Sequence, residues 1–128
     1  MNIKKIGSGT YKIHGNVSVL SCAAVVGDME KKGPLGHCFE HYSSDEYFGQ
    51  DSFEKAESYM QKEAMKYAVE KSGYTAEDIE FIFAGDLLNQ CIGSNYSVRD
   101  TAIQFFGLYG ACSTMAEGLI LGAMAIDG

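Results

Sequence analysis

The chain has 128 residues, 46% hydrophobic and 21% charged, with 15 Gly, 1 Pro and no Trp, a composition that excludes collagen, low-complexity linker and coiled coil. One domain of this length buries roughly two-thirds of the surface its unfolded chain exposes, so a sizeable core is within reach. Lys and Arg number 10 against 17 Asp and Glu, a net charge of −7, and no cationic run is longer than Lys4-Lys5 or Lys31-Lys32, which argues against nucleic acid as a partner.

In chain order, residues 1–14 read as a lead-in, frayed over 1–12. The run VSVLSCAAVV at 17–26 is apolar and β-branched, and it predicts a strand buried on both faces, as in a parallel sheet. Residues 28–51 read as a long loop holding the only proline, Pro34. Ser52 is placed to cap a helix over 52–72: Phe53, Ala56, Met60, Ala64, Tyr67 and Ala68 recur at three- and four-residue spacing, and Gly73 supplies the stop. Thr75 to Asp78 predicts a short capped turn. A second strand follows at 79–84, then a shorter helix at about 94–104 and a third strand at 105–111.

Thr114 and Glu117 have the spacing of a capping box for a last helix over 115–126. Only Glu117 is charged in that helix, and apolar residues cover every face, so it belongs in the centre of a larger body. Strand and helix alternate three times, the pattern of a parallel α/β fold with right-handed crossovers. Three strands do not easily bury a helix on all sides, and the length reads as that of an incomplete single domain.

No transmembrane or signal segment is expected. The longest uncharged stretch, 101–116, is interrupted by Gln, Ser, Thr and Gly, short of the roughly 20 apolar residues of a span. The lysines near the N-terminus lead into Gly-Ser-Gly rather than an apolar run. Val19 to Cys22 has a faint likeness to a lipoprotein cleavage site, weakened by Lys12, His14 and Asn16 before it. The 4 cysteines, at 22, 38, 91 and 112, form no CxxC pair and read as reduced thiols.

The strongest local chemical signal is 107–114, where a strand ends in glycines and Cys112, Ser113 and Thr114 open a helix. Backbone N–H groups and the positive end of the helix dipole would favour a thiolate or a bound anion there. A small buried hydrophobe is the plainer reading of a lone cysteine. Asp86, Asn89 and Gln90 follow the second strand at the same sheet edge, where open parallel sheets bind ligands; Asp86 capping a turn is the plainer alternative. His37, Cys38, Glu40 and His41 invite a metal, but the spacing is not that of a standard zinc site, and a solvated loop is favoured.

Lys32-Gly33-Pro34-Leu35-Gly36, Ala84-Gly85-Asp86-Leu87-Leu88-Asn89-Gln90, and Phe106-Gly107 with Gly110-Ala111-Cys112-Ser113-Thr114, in this order, resemble the stage V sporulation AD family of endospore-forming bacteria, within the thiolase-like superfamily. The resemblance implies a five-layered α-β-α-β-α sandwich of two similar halves, with this chain as about the first third and the last helix at its centre. It implies binding of dipicolinic acid (pyridine-2,6-dicarboxylate) and support of its uptake, with calcium, into the developing spore. Ligand-binding residues would be Asp86, Asn89, Gln90, Cys112, Ser113 and Thr114, with no resident metal or cofactor and Ca²⁺ only alongside the ligand. The implied partners are membrane proteins of the same operon, with a peripheral location at the forespore or spore inner membrane, and a homodimer through the 105–111 edge strand. Cys112 falls where thiolases and ketoacyl synthases carry their nucleophile. An acyltransferase is therefore the alternative to a non-enzymatic binding role, and an inactive fragment the blander one.

Overall fold

The computed structural model describes residues 3–88 and 90–128. The lead-in is a hairpin rather than a frayed end. Strand β1 (Lys4–Gly7) pairs antiparallel with β2 (Thr10–Lys12) around Ser8-Gly9, where Gly9 takes the left-handed φ of 70°. The exit of the hairpin is fastened to the far end of the chain, because Gly15 N–H donates to Asp127 Oδ1 at 2.6 Å.

The apolar run at 17–26 is a strand only at its end, β3 (Val25–Val26), and Val19 and Leu20 are exposed. Its partner comes from the stretch expected to be loop. Helix α1 (Asp28–Lys32) and a 3-10 turn at Gly36–Cys38 lead to β4 (His41–Tyr42), which pairs parallel with β3. The single sheet expected from the alternation is replaced, among the described residues, by separate pairs, because β3 takes its ladder from β4.

Helix α2 (Phe53–Ser72) forms where its local signals place it. Ser52 Oγ accepts from Lys55 N–H at 3.3 Å, and Gly73 closes the helix at φ 78°. Thr75 and Asp78 make the expected capped turn, with Thr75 N–H donating to Asp78 Oδ2 at 2.8 Å. Strand β5 (Phe81–Ala84) then pairs parallel with β6 (Gln104–Gly107), Phe83 opposite Phe106 with rings stacked at 5.2 Å.

Between them α3 (Ile92–Val98) starts earlier and ends sooner than the expected helix at about 94–104, and it is anchored at its start by Asp86. Helix α4 (Thr114–Asp127) lacks the expected capping box: Thr114 Oγ1 accepts instead from Gly110 N–H at 3.1 Å. α2 packs on α3 and α4 on β5, an α/β architecture that brings the carboxyl ends of β5 and β6 beside the start of α4.

Candidate functional site

The site grows from one close approach. Leu108 N–H donates to Ala84 O at 2.9 Å, carrying the parallel register past the end of the strands. Gly85 passes that point with no room for a side chain: a Cβ there would stand 1.9 Å from the Leu108 carbonyl oxygen and 3.0 Å from Thr114 Cγ2. The loop after β5 and the turn before α4 therefore share one edge, as the two motifs predict.

The turn before α4 is tightly wound. Ser113 N–H and its Oγ–H both donate to Gly110 O, at 3.0 and 2.6 Å, and Thr114 N–H donates to Ala111 O. The two N–H groups that directly follow Cys112 are thus engaged within the turn. Cys112 itself is exposed, and Ala111 before it sits at φ 48°.

Asp86 does something different. It is buried, its Oδ1 accepts from Leu88 N–H at 2.9 Å, and its Oδ2 accepts from Ser94 N–H at 2.7 Å and Ser94 Oγ at 2.6 Å. Oδ1 thus braces the loop itself, while Oδ2 holds the loop to the first turn of α3, where a carboxylate is favoured by the helix dipole. Glu57 of α2 is held above its ordinary pKa, first by burial and then by the charge of Asp86. Gln90 is exposed at φ 63°, and the buried Cys91 at φ 67° donates its thiol to Leu108 O at 3.0 Å. Asn89 lies outside the described residues.

A cleft of about 750 Å³ opens between α2 and α4, lined by Gln61, Ala64, Met65 and Ala68 from α2, Phe83 to Gly85 at the end of β5, and Ala111, Cys112 and Thr114 at the start of α4. Small-molecule pockets are of this size, mostly apolar with a few placed polar groups. Cys112 and Thr114 face the cleft, while Asp86, Gln90 and Ser113 are not part of its lining. Missed from sequence were Gln61, the small pair Ala64 and Ala68, and Ser97; their spacing along the helices signalled packing and nothing more. Among the described lining residues none is charged. Nor do His37, Cys38, Glu40 and His41 converge. Glu40 is taken by Ala24 N–H and Lys71, and His41 stacks on Tyr67 at 6.3 Å. Among the described residues no group of three or more His, Cys, Asp or Glu side chains is placed to hold a metal.

Three non-glycine residues in the left-handed region, Gln90, Cys91 and Ala111, crowd this end of the molecule. Each costs of order 1 kcal/mol, and such strain collects at binding sites. An α/β protein with a ligand-sized cleft at the carboxyl end of a parallel strand pair is the class this geometry defines. The family model for Stage V sporulation protein AD (SpoVAD) matches residues 7–128. Stage V sporulation protein AD of Bacillus subtilis (strain 168) is 35% identical over 126 residues, which is 98% of this chain and 37% of that relative. The chain belongs to the stage V sporulation protein AD family, a family of sporulation proteins, and it spans little more than a third of the length of the curated relative it matches.

Proposed function

We propose that the cleft over Cys112 binds dipicolinate, and that the protein supports uptake of this dicarboxylate, with calcium, into the developing spore. One observation carries the reading: two of the three motifs that make the family resemblance meet at Gly85 and Thr114, on the wall of a cleft large enough for a single-ring ligand. The apolar surfaces of Phe83, Met65 and Ala68 suit the ring. The start of α4 supplies a positive dipole end to one carboxylate. The described lining is uncharged, so a dianion entering alone would be poorly compensated. Ca²⁺ travelling with the ligand answers that need, since hard carboxylate oxygens suit it.

In this reading Asp86 builds the loop and Cys112 with Thr114 meets the ligand. The thiolase-like sandwich belongs to the same proposal, supported by a helix α4 that is apolar on the faces turned away from β5. So do membrane-protein partners and a peripheral place at the spore inner membrane. No helix among the described residues is long and apolar enough to cross a membrane.

Calorimetric titration with dipicolinate, with and without Ca²⁺, tests the site in the wild-type protein and in Cys112→Ala and Cys112→Trp. The bulky variant should weaken binding at least tenfold by filling the cleft. Affinity unchanged in both variants would remove the ligand from this site. The exposed thiol at a helix start also supports the acyltransferase reading, in which Cys112 is the nucleophile. A stable acyl adduct on Cys112 after incubation with acyl-CoA, seen by mass spectrometry, would favour the enzyme.

A further inference from the structure

Charge is segregated along this chain. Residues 1–27 contain Lys4, Lys5 and Lys12 and no acidic residue, so the other seven cationic side chains share residues 28–128 with all 17 acidic ones, a net −10 for that part. The three lysines sit on the β1–β2 hairpin, and every residue of its two strands is exposed.

The pairing register makes the segregation a structural statement. Lys4 stands directly opposite Lys12, and Lys5 opposite Tyr11. Like charges facing each other across an antiparallel pair are destabilising, and among the described residues no carboxylate forms an ion pair with any of the three lysines. An anion between them relieves that repulsion. Beside the lysines the hairpin exposes Ile6 at 58% and Tyr11 at 52%. Cations mixed with an aliphatic side chain and a tyrosine suit the headgroup region of a bilayer, where the ring and the aliphatic group leave water and the hydroxyl stays wet. An acidic protein surface would meet the charges and leave Ile6 and Tyr11 without a role.

We propose that the β1–β2 hairpin docks tip-first on a bilayer rich in anionic phospholipid, so that Lys4 and Lys12 on one face of the ladder and Lys5 on the other contact headgroup phosphates while Ile6 and Tyr11, nearer the turn, enter the interface. The surface is separate from the cleft. It deepens the peripheral membrane location proposed above by naming a contact that needs no protein partner.

Flotation with purified vesicles tests it, because vesicle-bound protein rises while aggregates sink. The wild-type protein should float with vesicles containing phosphatidylglycerol, stay behind with phosphatidylcholine alone, and be released by high salt. Each lysine near an anionic surface contributes roughly fivefold to binding, so Lys4→Gln, Lys5→Gln and Lys12→Gln together should weaken partition by roughly 100-fold. A control with Lys55, Lys62 and Lys66 changed to Gln carries the same net charge and should float as wild type does. Equal flotation of hairpin variant and control, flotation on neutral vesicles, or none at all would overturn the proposal. None of these outcomes bears on docking through membrane-protein partners, which pure vesicles lack. Unchanged far-UV circular dichroism in the variants excludes loss of fold as the cause.

Discussion

Glu40 shows how one side chain can join three segments. One carboxylate oxygen accepts from Ala24 N–H at 2.8 Å, just ahead of β3, and the other accepts from the Lys71 ammonium in the last turn of α2. Glu40 itself directly precedes β4. The bond from Lys71, then that from Ala24, lowers its pKa from 4.5 to about 2, and Glu40 in turn raises that of Lys71. A depressed carboxylate contributes stability that is present above its unfolded pKa and lost as pH falls through the folded one. The melting temperature should therefore fall between pH 4.5 and about 2, and Glu40→Gln, which keeps an acceptor for Ala24, should flatten that part of the profile. Identical slopes for both proteins would show that the clamp contributes nothing to folding.

At the scale of elements, the meeting of β5 with the turn before α4 depends on Gly85. Placing a methyl group 1.9 Å from the Leu108 carbonyl forces the two strand ends apart, a distortion of the overpacking kind that costs about 1–3 kcal/mol. Gly85→Ala should lower the urea midpoint accordingly, without changing the slope of the transition; a midpoint within error of wild type would mean the approach is looser than described. Elements fixed by neighbours in sequence were legible beforehand. Ser52, the three- and four-residue spacing and Gly73 mark out α2, and Thr75 with Asp78 marks the turn after it. β5 lies within the second apolar run, and β6 overlaps the start of the third, beginning at Gln104 just ahead of it. Elements fixed by distant partners were not. Residues 17–26 have the composition of a buried strand, but a strand exists only where another lies beside it, and β4 reaches only Val25 and Val26. The bond from Leu88 N–H to Asp86 is the turn cap its position suggests, but the other role of Asp86 depends on Ser94, eight residues on, which sequence alone places only at the start of a helix. Cys112 and Thr114 at one sheet edge with Gly85 were legible; the helix α2 wall that turns this edge into a cleft was not.

At the scale of the molecule, the chain exposes 8888 Å², where a compact monomer of 13.9 kDa exposes roughly 6,700 Å². Much of the excess is apolar: Met115 is 78% exposed and Ile126 70%, and Leu119, Ile120, Phe106 and Tyr109 add to the same region of sequence. Exposed apolar surface on this scale suits a contact with another body. The 128 residues hold the material of a core but leave much of it, above all on α4, open to solvent. On size-exclusion chromatography the chain should elute well ahead of a 13.9 kDa standard; a monodisperse monomer would show that the α4 surface tolerates water.

The central claim, that the cleft beside Cys112 is the ligand site, is tested most directly by mapping backbone amide resonances as dipicolinate is added. Binding there predicts shifts at Gly85, across Ala111 to Met115, and at Ala64 and Ala68 on the facing wall. Saturating shifts confined to other parts of the chain, such as the lysines of the hairpin, would contradict it.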